Sequence, residues 1–415
     1  MIKIKSSTYR TLITVFFVVL NSYAFIYMWS TETLIGDVKN NQYKDVGYIL
    51  LSASLVVSSY LFVWFFFELF NNLKFKRSNL LDDVNQHVGH KIFKTISIIL
   101  IILQISYFVY LYSYGLKANF SGEVSNPIKY LFIVIPVNYI FMIYYAVYRG
   151  RNIGFLYFLS IALALSSALY QGFVGIFNYI FFIEFYIYAR RKGVGSKVVF
   201  LFFIVLAVFP ILHSIKSSLR LGESGDFISF LSLFVGQEGF SILFYLHESI
   251  FYLISRLQIV SPMSEFVYYS TIFRDAFFRG DITPFWLEGT HGNIIKNLFN
   301  YDIGVNIGYF ATTTPIFDSY NPDHKWIANV GLFYWFIIDP LIGCLLLIYS
   351  IVIIFLFSFF SKKITNCYSV SNLVFFVLIF FLIPPWIGSL VSFLLSFIIF
   401  YFAVYFLKKF YLMRF

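Results

Sequence analysis

Ten apolar segments, each close to the length of a membrane-spanning helix, dominate this chain of 415 residues. A helix needs roughly 17–25 apolar residues to cross the hydrocarbon core of a bilayer. The segments occupy residues 10–29, 47–70, 93–114, 128–149, 153–169, 171–189, 198–213, 329–360, 372–387 and 389–407. They predict an all-α polytopic membrane protein with about ten transmembrane helices.

The composition agrees with this prediction. The chain is 60% apolar and 12% charged, whereas soluble domains are about 45–50% apolar and about 25% charged. A water-soluble enzyme and a disordered chain are both excluded. The two cysteines, Cys344 and Cys367, form neither a disulfide framework nor a metal-ligand pattern. No P-loop or GxGxxG pattern follows a strand, so we expect no cofactor and no metal ion.

Lysine and arginine are distributed unevenly along the chain. Nineteen of the 30 fall at the two termini or in every second loop between the predicted spans. They are Lys3, Lys5, Arg10, Lys74, Lys76, Arg77, Lys91, Lys94, Arg149, Arg151, Arg190, Arg191, Lys192, Lys197, Lys362, Lys363, Lys408, Lys409 and Arg414. Because basic loops stay in the cytoplasm, both termini are predicted to be cytoplasmic. The net charge of +10 is therefore a topology signal, and we expect no nucleic-acid partner.

This topology divides the chain into three parts. Residues 1–213 form a seven-helix transmembrane part, 214–328 a large periplasmic loop with amphipathic helices, and 329–415 a three-helix transmembrane part. Within the loop, polar residues recur at helical spacing along 240–258, which predicts an amphipathic helix lying at the membrane interface or folded onto the bundle. An eleventh span is the alternative.

The loop contains the residues most suited to chemistry. Lys216 and Arg220 are one helical turn apart, so they either hold an anion such as pyrophosphate or anchor the helix end near lipid headgroups. Arg256 lies in a very apolar setting and needs a specific partner. His291, in a predicted flexible loop, and His324, beside Asp323, are either structural or catalytic. Further cations of the loop are Arg274 and Arg279.

Few acidic residues lie within the predicted spans. Glu68 and Glu184 are near cytoplasmic ends, where we expect pairing with Lys74 or neighbours of the Arg190 type. Asp339 precedes Pro340 inside the predicted span 329–360, where it either stabilises a helix break or faces a water-filled cavity. A proton-coupled transporter needs several such groups deep in the bundle, so their scarcity argues against that class.

The chain resembles bacterial oligosaccharide repeat-unit polymerases, the O-antigen polymerase (Wzy-type) family. The shared features are the aromatic-rich polytopic chain, the large outer loop opened by Lys216 and Arg220, its further arginines, and the entry sequence 328–332 (Ala-Asn-Val-Gly-Leu) of the next span. The resemblance implies a metal-independent glycosyltransferase of the GT-C type in the bacterial inner membrane. Donor and acceptor would both be undecaprenyl-pyrophosphate-linked oligosaccharides, and a chain-length regulator (copolymerase) would be a possible partner.

The resemblance also implies roles for the loop residues. The pyrophosphate would be held by Lys216, Arg220, Arg256, Arg274 and Arg279. The acceptor hydroxyl would be deprotonated by His291 or by His324, with Asp323 beside it. Three alternatives stay open, namely an O-antigen ligase that transfers glycan to the lipid A core, a lipid-linked oligosaccharide flippase, and a non-catalytic membrane scaffold.

Overall fold

The computed structural model describes residues 5–36, 45–73, 79–116, 128–149, 154–171, 175–193, 235–236, 239–240, 242–299, 304–313 and 329–413. Helices account for most of these residues. The first part of the chain contains α1 (Ser6–Thr31), α2 (Val46–Asn72), α3 (Gln86–Ser113), α4 (Ile128–Val134), α5 (Val137–Tyr148), α6 (Phe155–Gln171) and α7 (Gly175–Lys192). The break between α4 and α5 falls at Pro136, which has no amide hydrogen to continue the helical ladder.

Shorter elements follow in the middle of the chain. Two two-residue strands, β1 (Val235–Gly236) and β2 (Gly239–Phe240), pair antiparallel. The next helices are α8 (Ile242–Leu257), α9 (Val260–Tyr268), α10 (Ser270–Arg279), α11 (Thr290–Phe299) and α12 (Ile307–Thr313). A 3-10 turn, Phe285–Leu287, lies between α10 and α11.

Long helices return in the last part of the chain. A 3-10 turn, Leu332–Tyr334, leads into the one-turn helix α13 (Trp335–Ile338). It is followed by α14 (Pro340–Ile364), by α15 (Tyr368–Val377) with a π-helical turn at Leu378–Leu382, and by α16 (Ile387–Met413).

The described residues include six helical stretches long and apolar enough to cross a membrane. They are α1, α2, α3, the α4–α5 pair, α14 and α16. Phe155–Gln171 and Tyr368–Leu382 are apolar but shorter. The prediction of an all-α membrane protein is confirmed at this level, while the count of ten spans stays a prediction, because the predicted span 198–213 lies outside the described residues.

The single span predicted at 329–360 is wrong in its first third. Asp339 is extended, with φ −158° and ψ 129°, and α14 begins only at Pro340. Proline disfavours helical backbone in the residue before it and suits the first helical position, so the chain must break here. The Asp339 carboxylate accepts hydrogen bonds from the amides of Leu341 (2.9 Å) and Ile342 (3.1 Å). Of the two roles considered for Asp339, the helix-break role is the one observed.

Replacing Asp339 with alanine is expected to lower the free energy of unfolding by about 0.5–2 kcal/mol, the usual cost of losing an N-cap. Unfolding of the purified protein by denaturant in detergent micelles would measure this. Asp339→Asn is the matched control, because asparagine caps a helix about as well as aspartate. Equal stability of the alanine and asparagine variants would contradict the capping role.

One end of the helical bundle collects the chain segments that carry the predicted cytoplasmic lysines and arginines. Arg10 of α1 pairs with Glu68 near the end of α2. Three further contacts join remote segments there: the Leu80 amide donates to the Lys363 carbonyl at 2.9 Å, Arg190 lies over the Tyr368 ring at 4.3 Å, and the Thr95 and Tyr411 hydroxyls are 2.7 Å apart. We call this the basic end. That it faces the cytoplasm stays a prediction.

The opposite end, which we call the distal end, carries α8–α13. Tyr48 at the start of α2 contacts Tyr268 of α9, with ring centroids 5.5 Å apart. Phe251 of α8 contacts Tyr27 near the end of α1 at 5.2 Å. The predicted amphipathic helix is therefore folded onto the bundle. Residues 242–299 and 304–313, which we call the distal segment, thus sit on the bundle at the end remote from the basic loops.

Candidate functional site

The structure describes four of the eight residues to which the sequence assigns a role. Arg256, Arg274, Arg279 and His291 belong to the distal segment. The other four, Lys216, Arg220, Asp323 and His324, lie outside the described residues, so their roles stay predictions.

The three arginines of the distal segment with a predicted role are all exposed. Arg256 ends α8, whereas Arg274 and Arg279 belong to α10. Five positions along a helix correspond to a rotation of about 140°, so the two arginines of α10 point to different sides. Arg279 forms an ion pair with Asp281 (N to O 2.9 Å), and Arg274 lies 6.0 Å from the centroid of the Phe278 ring. Arg274 and Arg279 therefore do not form a single clamp.

His291 lies in the first turn of α11 rather than in the flexible loop that was predicted. Its Nε2 is 2.5 Å from the carbonyl oxygen of Trp286. Because a carbonyl oxygen only accepts hydrogen bonds, Nε2 carries the proton and Nδ1 carries the lone pair of the neutral ring. The histidine is therefore oriented by the turn that precedes it.

That turn belongs to residues 284–291, which we call the elbow. Pro284 starts the 3-10 turn Phe285–Leu287, and Gly289 reverses the chain with φ +107°, a conformation that favours glycine. A Cβ added to Gly289 would lie 3.0 Å from the Cα of Gly388, so the elbow and the start of α16 touch through two glycines. The hydroxyls of Thr290 and Ser392, 3.2 Å apart, form a hydrogen bond beside this contact.

Aromatic packing holds the elbow against the last part of the chain. The ring of Phe285 lies 5.7 Å from Trp335 of α13 and 5.5 Å from Tyr349 of α14, measured between centroids. On the other side, the amide of Thr283 donates to the carbonyl of Val305 at 2.8 Å, which ties the residues before the elbow to the approach of α12. The elbow is thereby fixed from three directions.

Glu288 is the buried ionisable group that this packing encloses. It follows the 3-10 turn directly and is only 7% exposed. Burial raises the pKa of Glu288 to about 8, although hydrogen bonds from the Asn306 side chain and the Gly388 backbone oppose the shift. The pKa rises because an apolar setting removes the water that would stabilise the ionised carboxylate. Glu288 is therefore mostly protonated at neutral pH and exchanges its proton close to that pH.

The sequence prediction did not include Glu288 among the site residues. The available signal was a carboxyl group between Phe-Trp-Leu and glycine, a setting in which an acid is costly to ionise. The signal was incomplete, since Gly388 and Tyr349, which interact with Glu288, are 100 and 61 positions away. Catalytic sites often contain an acid whose pKa is shifted close to neutral pH.

Two acidic residues at the basic end, Glu68 and Glu184, have arginine partners. Glu68 pairs with Arg10, where the Arg10 Nε to Glu68 Oε1 distance is 2.6 Å. Arg10 also donates to Ser6 at 2.5 Å and to Asn372 at 3.1 Å. Lys74, the expected partner of Glu68, lies outside the described residues, so that pairing stays a prediction, while Arg10 of α1 is the partner that the structure shows.

Glu184 has an arginine partner from another segment as well. It accepts from Arg149, whose NH2 nitrogen lies 2.6 Å from Oε2, and from the hydroxyl of Tyr145. Arg191, next to Arg190, also interacts electrostatically with Glu184, so a neighbour of the Arg190 type contributes beside Arg149, while Arg190 itself lies over the Tyr368 ring. Both acids sit where α-helices meet at the basic end, and both are neutralised by an arginine from another helix.

Among the described residues, no group of three or more histidine, cysteine, aspartate or glutamate side chains is arranged to hold a metal ion. The fold and the apolar helices define the class of this protein as an all-α membrane protein. The sequence matches no protein-family model, and no curated protein or solved structure matches it either. The function therefore has to be argued from the distal end itself.

Proposed function

We propose that this chain is a membrane-embedded glycosyltransferase of the bacterial inner membrane. In this proposal it polymerises undecaprenyl-pyrophosphate-linked oligosaccharide repeat units at the periplasmic face. The observation that supports it most is the packing of the distal segment, with its exposed arginines and its buried acid, on the end of the bundle remote from the basic loops. The positive-inside rule assigns the basic loops to the cytoplasm and hence the distal segment to the other side.

The proposed reaction makes demands that this end of the molecule is suited to meet. The growing glycan leaves its lipid diphosphate and joins a hydroxyl of the next lipid-linked repeat unit. Negative charge builds up on the departing diphosphate, which cationic side chains stabilise. The proposed ligands are Arg256 and Arg274, with Arg279 in a lesser role because Asp281 already neutralises it. The lipid tails would lie along the apolar outer surface of the spanning helices.

Two observations favour an enzyme over a flippase. The buried Arg10 and the partly exposed Arg149 are each neutralised by a glutamate of a neighbouring helix, which suits a structural role better than a charge pathway. The distal segment also buries part of its length in the bundle, whereas a flippase is expected to have short loops. An O-antigen ligase shares the donor and is distinguished only by its acceptor.

The proposal is tested with lipid-linked oligosaccharide extracted from a host strain that lacks this gene. Purified protein in liposomes is expected to convert this single-repeat lipid into products of two or more repeats, with release of undecaprenyl diphosphate, as measured by gel and mass spectrometry. Elongation only when lipid A core is added would identify a ligase. Movement of the lipid across the bilayer without any elongation would identify a flippase.

Arg274→Ala is expected to lower kcat/KM for this elongation by about tenfold or more, because an exposed cation lost from a phosphate site costs transition-state stabilisation. Arg274→Lys should recover part of the loss, since lysine keeps the charge but not the bidentate geometry. The matched control is Asp275→Asn, a charge change at the neighbouring exposed position. Equal rates for Arg274→Ala and the control would remove Arg274 from the site.

A further inference from the structure

The elbow presents two chemically different groups within three residues. Glu288 is enclosed, with 7% exposure, whereas Trp286 retains 39% exposure. An exposed indole offers an apolar face against which the C–H face of a sugar ring can pack. Glu288 follows Trp286 by two residues in the same elbow.

The hydrogen bonds of Glu288 leave it able to accept one more partner. An ionised carboxylate has about four acceptor positions. The Asn306 side chain and the Gly388 backbone donate to two of them. Both donors stabilise the ionised form, so the site can hold the carboxylate as well as the acid.

The donors are themselves fixed in place. The Oδ1 atom of Asn306 accepts from the amide of Gly308 at 2.9 Å, which caps α12 and leaves the amide nitrogen of the same side chain for Glu288. Gly388 is held by its close contact with Gly289. A carboxyl group held in this way has the rotational restriction that proton transfer in a transition state requires.

We propose that Glu288 is the proton acceptor for the attacking hydroxyl of a glycan acceptor whose sugar packs on Trp286. This inference rests on the proposed function. The O–H bond of the acceptor breaks and its proton moves to the Glu288 carboxylate. The hydroxyl oxygen forms a bond to the anomeric carbon of the donor. The bond from that carbon to the diphosphate oxygen breaks, and its electron pair leaves with the diphosphate. Glu288 returns the proton to water after the product leaves.

His291 has a different part in this arrangement. Its Nε2 donates to the Trp286 carbonyl, so it holds the turn that presents the indole and the carboxyl. His291 is therefore a positioning residue. The prediction that His291 or His324 is the base competes with the assignment to Glu288, and the Glu288 variants below test that assignment.

The experiment uses the full-length protein in liposomes with the extracted lipid-linked oligosaccharide, at pH 6 to 9.5. For the unmodified protein, kcat is expected to rise with pH and level off above about 8, because the raised pKa of Glu288 leaves little carboxylate at pH 6. Glu288→Gln keeps the shape and the hydrogen-bond acceptor of the neutral side chain. It is expected to lower kcat by about 100-fold or more, to leave KM within about threefold, and to remove the pH dependence.

Glu288→Asp and His291→Asn serve as companion variants, with Asp275→Asn as control. The aspartate variant is expected to lose about tenfold or more of kcat but to keep a pH dependence, since it retains a misplaced carboxylate. If the glutamine variant fails to fold, the pH profiles of the unmodified protein and of the aspartate variant test whether Glu288 is the proton acceptor. A flat profile, or a glutamine variant with unchanged kcat, would overturn the assignment.

The pH dependence of stability gives a readout that does not depend on activity. A carboxyl with a raised pKa in the folded state binds more protons folded than unfolded, so stability falls as pH rises from about 4.5 to about 8. Glu288→Gln is expected to flatten this fall in the melting temperature. If the unmodified protein elongates nothing, the proposed function fails. If it elongates and Glu288→Gln does too, only the role of Glu288 fails.

Discussion

Arg10→Ala is expected to lower the free energy of unfolding by about 3–5 kcal/mol, because it leaves the Glu68 carboxylate without its cation inside the bundle. The side chains of Arg10 and Glu68 are only 3% and 16% exposed. The guanidinium also satisfies Asn372 and Ser6, so its loss leaves three polar groups short of partners. Unfolding by denaturant in micelles, followed by tryptophan fluorescence or circular dichroism, would measure the change.

Two comparisons sharpen this prediction. Arg279→Ala breaks an ion pair of similar geometry whose members are 62% and 45% exposed, and it should cost less than about 1 kcal/mol. The double replacement Arg10→Met with Glu68→Leu removes both charges at once, and we expect it to be markedly more stable than Arg10→Ala alone. If Arg10→Ala and Arg279→Ala cost the same, the pair at the basic end is not effectively buried.

Gly289→Ala is expected to displace the elbow from α16. The new Cβ would lie 3.0 Å from the Cα of Gly388, and alanine would have to adopt φ +107°. A side chain in the left-handed region costs about 1–2 kcal/mol, and overpacking adds typically 1–3 kcal/mol. We therefore expect a loss of about 2–4 kcal/mol and faster proteolytic cleavage near 284–291, both measurable on the purified protein.

Two glycines separate the contributions to this effect. Gly280 has φ +87° with nothing within 4 Å of an added Cβ, so Gly280→Ala reports the backbone strain alone. An added Cβ on Gly388 would lie 3.2 Å from the Cα of Gly289, and φ at Gly388 is not positive, so Gly388→Ala reports the contact alone. A Gly289→Ala variant that is no less stable than Gly280→Ala would show that the two glycines do not determine the docking of the elbow.

The lengths of the apolar segments were sufficient to predict the helical membrane fold, because a spanning helix is defined by about 20 consecutive apolar residues. The same signal failed at 329–360, where hydropathy continues through Asp339 but the Asp-Pro pair breaks the helix. Backbone chemistry overrides hydropathy at that point, and it was visible in the sequence.

The candidate site was less predictable because its parts come from distant segments. Arg274 and Arg279 could be recognised as cations of an outer loop, but their different directions depend on the helix that carries them. Burial raises the pKa of Glu288, and the two groups that bond to it, Gly388 and Asn306, are ones that no local pattern connects to it. Glu68 was expected to pair with a nearby lysine, whereas Arg10, the partner that the structure shows, lies 58 positions earlier in the preceding helix.

The Arg10 network also has a consequence for how the protein is made. The Ser6 hydroxyl donates to Asn372 at 2.8 Å across a separation of 366 residues. At about 5–20 residues per second, the ribosome needs roughly 20–70 s to add that stretch. During this interval the first two helices already reside in the bilayer, and Asn372 does not yet exist. The Arg10–Glu68 pair therefore belongs to the early hairpin alone, whereas the bonds of Ser6 and Arg10 to Asn372 form only after α15 has been made.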